Sequence, residues 1–209
     1  MIPKDPRHRN KTFTVDSITD YVAHYSRALS DAVAGVDGQA LEKVYTLLGE
    51  TLEKGGRVLV AGNGGSAAIA DHLGCDWMKS TRVEGEPVLR VHSLVSNVPL
   101  SSAIANDFGY EQIFAAQLGM LAEQGDLCVL ISSSGNSPNI IEAANRARAM
   151  GVRVVGMTGF DGGALAGLAD VNLHVDSANY GLVEDSHQAL MHCLSQFLAL
   201  HQDKKASRA

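Results

Sequence analysis

Two short segments of this chain carry the residue types that anion binding needs. Gly62-Asn63-Gly64-Gly65-Ser66 follows the apolar run Val58 to Ala61 and precedes the helix-forming Ala67-Ala68-Ile69-Ala70. Small residues therefore stand where a strand hands over to a helix N-terminus, and backbone N–H groups and the helix dipole converge there on an anion. The second segment, Ser132-Ser133-Ser134-Gly135-Asn136-Ser137-Pro138, offers four hydroxyls, with Pro138 suited to the first helical position and Ser137 to its cap. Hydroxyls and amides donate to phosphate oxygens without adding a charged side chain. Either loop alone also meets the plain needs of a tight turn or a cap, whereas two of them at the carboxyl ends of parallel strands point to a phosphate. The first loop also fits the loose dinucleotide pattern at Gly62, Gly64 and Ala67. A nicotinamide fold wants an acidic residue at the end of the second strand, and His92, Ser93 and Leu94 stand there, so no nucleotide cofactor is expected.

Groups able to move protons lie beyond these loops. His72 and Asp76 are four residues apart, hence on one face of the helix leaving the glycine loop, a spacing that a surface ion pair shares. His192 sits in an apolar stretch, where a hydrogen-bonded core histidine is the ordinary reading. His187 is about 140° around the helix from it, so the two do not share a face, and His187 is read as structural. Glu184 and His192 are separated by a rise of about 12 Å, so one ion would hold both only if they leaned together.

Several elements must position these groups. Ile18, Val22, Tyr25, Leu29 and Val33 recur at helical spacing behind a capping pair, Ser17 and Asp20, and Gly35 stops the helix. Leu41, Val44, Leu48 and Leu52 mark a second helix that Gly55 and Gly56 end. Short apolar runs then alternate with longer segments: Arg57 to Ala61, Val88 to His92, Leu127 to Ile131, Arg153 to Met157 and Val171 to Val175. That is the pattern of a parallel sheet covered on both faces. A helix is expected between Tyr110 and Gln124, and a last one from about Glu184 to Gln202. The expectation is one doubly wound α/β domain over residues 15–203, with a parallel five-stranded sheet, an N-terminal helical pair and a flexible arm at residues 1–14.

Composition narrows the partners. The chain has 209 residues, 45% hydrophobic and 19% charged, which suits one globular domain with a substantial core. A formal net charge of −6 argues against nucleic acid. No apolar run approaches the roughly 18 residues of a membrane span, and no apolar stretch follows the basic start, so the expected location is the cytoplasm, with no membrane partner. Cys75, Cys128 and Cys193 form no metal or disulfide spacing and are read as buried free thiols.

With those loops in hand, the chain resembles the sugar isomerase (SIS) domain family and, within it, the phosphoheptose (sedoheptulose 7-phosphate) isomerases. The likeness is carried by Gly62 to Ser66, Ala103-Ile104-Ala105-Asn106-Asp107, Ser132 to Ser137, Thr158-Gly159 with Asp161-Gly162-Gly163, and the helix holding His187 and His192. It implies a flavodoxin-like fold and a homotetramer with the phosphosugar site near a subunit interface, built partly by the N-terminal helix. It also implies isomerisation of sedoheptulose 7-phosphate to D-glycero-D-manno-heptose 7-phosphate by proton transfer through an enediol(ate). Asp76 and His192 take the catalytic positions. Asn63, Gly64, Ser66, Asn97, Ser132, Ser134, Ser137 and Glu184 take the substrate positions. His72, Asp76, Glu184 and His192 take those that often hold a divalent metal, zinc above others. Three of these depart from the family pattern: Asp76 stands for a glutamate, Glu184 for a glutamine and Asn97 for an aspartate. The alternative is a non-catalytic SIS protein that binds a phosphosugar or associates with a replication initiator. A nucleotide-cofactor oxidoreductase is a distant third.

Overall fold

The computed structural model describes residues 13–206, with side chains from 13 to 202. Five apolar runs form one sheet: β1 (Arg57–Gly62), β2 (Arg90–Ser93), β3 (Leu127–Ser132), β4 (Arg153–Thr158) and β5 (Val171–His174). They lie in the order β2-β1-β3-β4-β5, and every neighbouring pair is parallel. Parallel neighbours need crossovers. Helices α3 (Gly65–Ser80), α4 (Val98–Phe108), α5 (Ala115–Leu121), α6 (Pro138–Ala149) and α7 (Gly163–Leu168) supply them. Before the sheet come α1 (Ile18–Ala34) and α2 (Gly38–Glu53), and after it α8 (Tyr180–Ala206).

Because side chains alternate across a strand, the sheet feeds two cores. Val58, Val60, Leu127, Val129 and Ile131 join Leu48, Leu73 and Met191 on the face covered by α2, α3 and α8. Leu59, Ala61, Cys128 and Leu130 join Phe114, Ile140 and Ala144 on the other. Leu73 is wholly buried. Its truncation to alanine costs about 2–5 kcal/mol and would loosen the helix that carries His72 and Asp76. In this strand order the switch point lies between β1 and β3, where the connections leave toward opposite faces and open a crevice. Both candidate phosphate loops follow those two strands.

Ser17 caps α1, accepting from the Asp20 N–H at 3.0 Å while its hydroxyl donates to the Asp20 carboxylate at 2.7 Å. No α1 residue is buried, and Ile18 and Val22 are 76% and 56% exposed. The N-terminal part of the stripe read from the sequence is thus bare in a single chain, whereas Tyr25, Leu29 and Val33 are half-buried and Val33 packs on the core.

Some expectations need correction. The segment from Tyr110 is a 3₁₀ turn (Tyr110–Gln112) followed by only seven residues of α5. The apolar stripe there includes Gln117, which is wholly buried and donates its amide to the carbonyls of Leu94 and Ile113. Strand β2 begins two residues later than expected, since Val88 stays exposed at the sheet edge. Helix α8 starts at Tyr180, four residues early, because the Asn179 side chain accepts the Leu182 N–H. Only Cys128 is buried, and burial pushes its thiol up to about 12. Cys75 and Cys193 are exposed, on the outward sides of helices whose inner faces are held by Leu73 and Trp77, and by Met191 and Leu194. Of the arm expected at residues 1–14, residues 1–12 lie outside the described residues. Phe13 packs its ring on Tyr21 and His24.

Candidate active site

The loops after β1 and β3 close a cavity of about 150 Å³. Asn63, Ser66, Ser132, Ser133, Ser134, Ser137, Tyr180 and Glu184 line it, and no lysine or arginine does. Helices α3 and α6 begin at its edge, so their first N–H groups add positive potential where basic side chains do not. Gly62 admits no side chain, because a Cβ would stand 2.5 Å from the Ser66 carbonyl oxygen. Gly64 caps α3 at φ +56° and supplies backbone. Ser137 occupies the cap position of α6, yet its hydroxyl makes no capping bond. Its carbonyl takes the N–H groups of Ile140 and Ile141, and the hydroxyl lies 3.3 Å from that of Ser132. The Ser133 hydroxyl is buried without a protein partner.

Two side-chain amides lock the loops together. Asn63 and Asn139 exchange hydrogen bonds of 2.8 and 2.9 Å, and the Tyr110 hydroxyl donates to Asn63 at 3.1 Å. Asn139, Tyr110 and Tyr180 were not singled out from the sequence, whereas Ser133 was one of the loop's four hydroxyls. Tyr180 was hidden because the last helix was expected to start after it. For Asn139 the one signal was its place beside Pro138 in the first turn of α6.

A second cluster lies where α3 packs against α8. The Trp77 indole N–H donates to the Met191 carbonyl at 3.1 Å and pins the two helices side by side. Asp76 Oδ2 lies 3.2 Å from His72 Nε2 and 3.1 Å from His192 Nε2, and the two imidazole nitrogens are 3.3 Å apart. Four ligands set tetrahedrally at about 2.0–2.1 Å from a divalent ion stand roughly 3.3 Å from one another. The three atoms thus have the spacing of three corners of such a shell, with a fourth corner open. His72 is 48% exposed at its side chain and Asp76 26%, so the cluster is reachable from solvent. His72, Asp76 and His192 can hold a metal ion.

Glu184 does not join them. Two helical turns separate it from His192, and its carboxyl lies over Gly65, where any Cβ would collide with it. Burial, and then the nearby Asp185 charge, raise its pKa. It belongs to the serine-lined cavity. The neutral amide beside His192 is instead Gln188, one turn earlier on α8, 3.4 Å from Nε2. Asn97 is in neither cluster: it is exposed, and its Oδ1 caps α4 by accepting the Leu100 N–H at 3.1 Å.

Comparisons with known proteins agree with this geometry. Residues 20–159 match the SIS domain model. The phosphoheptose isomerase of Campylobacter concisus is 38% identical over 157 residues, covering 75% of this chain and 82% of that protein. That of Helicobacter pylori strain 26695 is 34% identical over 182 residues, covering 87% and 93%. Among solved structures, the phosphoheptose isomerase of Francisella tularensis superposes with a TM-score of 0.81 at 30% identity, covering 88% of this chain and 96% of that one. The enzyme from Neisseria gonorrhoeae gives 0.79 at 30% identity, covering 87% and 96%. With its glycine and serine loops at the switch point and its histidine and carboxylate pair on α3, the chain belongs to the SIS domain family, in its phosphoheptose isomerase branch.

Proposed function

We propose that this chain is an aldose–ketose isomerase that interconverts sedoheptulose 7-phosphate and D-glycero-D-manno-heptose 7-phosphate through an enediol(ate). One observation carries it: a donor-rich cavity without basic side chains and a solvent-reachable carboxylate–imidazole cluster share two helices, α3 and α8. The cavity takes the phosphate, with Asn63, Ser66, Ser132, Ser134 and Ser137 as side-chain donors and Gly64 giving backbone. Glu184 borders the sugar side.

Isomerisation moves a proton between adjacent carbons and shifts charge onto oxygen. Asp76 is the base. Its Oδ2 faces both imidazoles, whereas Oδ1 has no partner among the described residues and accepts the carbon-bound proton. The same carboxyl returns that proton to the neighbouring carbon. His192 carries the proton that passes between the two sugar oxygens, since an imidazole gives and takes protons near neutrality. His72 orients Asp76. His72, Asp76 and His192 would alternatively hold a zinc ion, which would polarise the sugar carbonyl in place of the proton that His192 carries.

The exposed Ile18 and Val22 at the start of α1 support a homotetramer, with this end of the helix covered by a neighbouring subunit and the site near that interface. Among the described residues no helix is long and apolar enough to cross a membrane, which fits a cytoplasmic enzyme. Incubation with sedoheptulose 7-phosphate tests the function. A ketose has no anomeric proton, so aldose anomeric signals must appear in the proton NMR spectrum. A spectrum unchanged with both the protein as isolated and the zinc-loaded protein sinks the proposal.

A further inference from the structure

His187 takes no part in this chemistry, yet it stands on α8 between Glu184 in the cavity and His192 in the cluster. It is wholly buried. Its Nε2 lies 3.2 Å from the carbonyl oxygen of Thr158. A carbonyl only accepts, so Nε2 carries the proton and donates, and the buried Nδ1, which has no partner among the described residues, is the bare nitrogen. Burial above all lowers the pKa to about 4, so the ring is neutral at neutral pH.

The same carbonyl also accepts the Val175 N–H at 2.8 Å, so both its lone pairs are engaged. It belongs to the peptide whose nitrogen is that of Gly159, and the Gly159 N–H donates to the Ser133 carbonyl at 2.8 Å. One peptide plane is thus gripped at its oxygen by α8 and β5 and grips the serine loop through its nitrogen. Hydrogen bonds strung through one amide polarise each other. Val183, one turn before His187, closes over Gly159, where a Cβ would meet Val183 Cγ2 at 2.5 Å. The plane has no room to tilt toward the helix. Ser133, held by its carbonyl, lines the cavity, and its hydroxyl is buried without a protein partner.

We propose that His187 is a positioning residue of the phosphate subsite, holding the Thr158–Gly159 peptide so that Ser133 is fixed in place to receive the phosphate. This rests on the serine-lined cavity being the phosphate site.

The test measures inorganic phosphate binding by calorimetry, and KM and kcat for the phosphosugar. His187→Leu removes the donor, and His187→Gln restores an N–H at similar reach. The leucine variant should weaken phosphate binding and raise KM by about threefold to tenfold, the worth of one neutral hydrogen bond. Its kcat should hold, and glutamine should recover most of the loss. A folded leucine variant with wild-type affinity overturns the proposal, as does one that loses kcat with KM unchanged. Should the leucine variant not fold, ¹⁵N-histidine-labelled wild-type protein decides: the His187 Nε2–H resonance must shift on saturation with phosphate, and an unmoved resonance overturns the proposal. Ser137→Ala runs alongside. If it leaves phosphate affinity unchanged, the cavity is not the phosphate site and the inference falls with it. If it weakens binding while His187→Leu does not, only the role of His187 is lost.

Discussion

Replacing Asp76 with asparagine removes the proposed proton acceptor and keeps its shape. One carboxylate oxygen already faces two imidazoles, at 3.2 and 3.1 Å. An amide either keeps its oxygen toward them and turns an NH₂ group to the substrate, or does the reverse. In the first orientation no base faces the carbon acid, and in the second the imidazoles meet a donor. A positioned general base contributes about 10² to 10⁴ in rate, or roughly 3–5 kcal/mol of barrier, so kcat should fall by at least two orders of magnitude. The serine-lined cavity proposed for the phosphate is built from other loops, so KM should hold. The side chain is 26% exposed, and the loss of folding stability should be about 1 kcal/mol or less. Turnover is followed by anomeric proton signals. Deuterium wash-in at the carbon beside the carbonyl, in D₂O, reports proton abstraction alone. Wild-type wash-in by Asp76→Asn would refute the assignment of the base. Asp76→Glu, about 1.5 Å longer, keeps a carboxylate and should retain more activity than the amide.

Ser134→Ala and Ser137→Ala should each weaken inorganic phosphate binding by about tenfold to a hundredfold, because hydrogen bonds to an ionised acceptor are worth about 1.5–3 kcal/mol; calorimetry checks this, and unchanged affinity in both moves the phosphate elsewhere. Elemental analysis after dialysis against zinc should find bound metal in the wild type and none in His72→Ala; equal occupancy would remove His72 from the ligand set. If the chain forms the proposed tetramer, Ile18→Asp with Val22→Asp should sediment as smaller species or precipitate, and sedimentation equal to the wild type would leave α1 outside the interface. His187 has a folded pKa of about 4 against an ordinary 6.5, so its contribution is complete above about pH 6.5 and is lost as the unfolded chain takes up a proton below it. Between pH 7 and pH 5 that amounts to about 2 kcal/mol of unfolding free energy. Urea titrations should show this dependence reduced in His187→Gln, and equal slopes would deny the ring its burial cost.

Local signals in the chain made much of the architecture legible. Ser17 with Asp20, and Ser137 with Pro138, mark helix starts by chemistry that acts within four residues, and both starts lie where expected. The β-branched runs located all five strands, the inner β1, β3 and β4 because a strand buried on both faces has few alternatives. The last helix was misplaced because its start depends on Asn179, a cap whose sequence neighbours carry no apolar periodicity. Glu184 and Asn97 show the limit at the site. Each was matched to a position in a pattern, whereas its side chain goes where nearby donors and space allow: over Gly65 in one case, to the Leu100 N–H in the other. Gln188 could not be weighed at all, since its nearness to His192 becomes meaningful only once α3 stands against α8.

Helix α8 also works as a ruler. On the proposed reading Glu184 borders the serine-lined cavity and His192 the reacting end, and the eight residues between them set a separation of about 12 Å along the helix. With bonds of about 1.5 Å, the span from the second carbon of a seven-carbon sugar to the phosphorus at its far end is on the order of 9 Å. A triose or tetrose phosphate anchored in the serine cavity would leave its carbonyl short of Asp76. On that reading chain-length selection depends on the pitch of one helix, and retuning it from this side would take a shift of the rod by a turn.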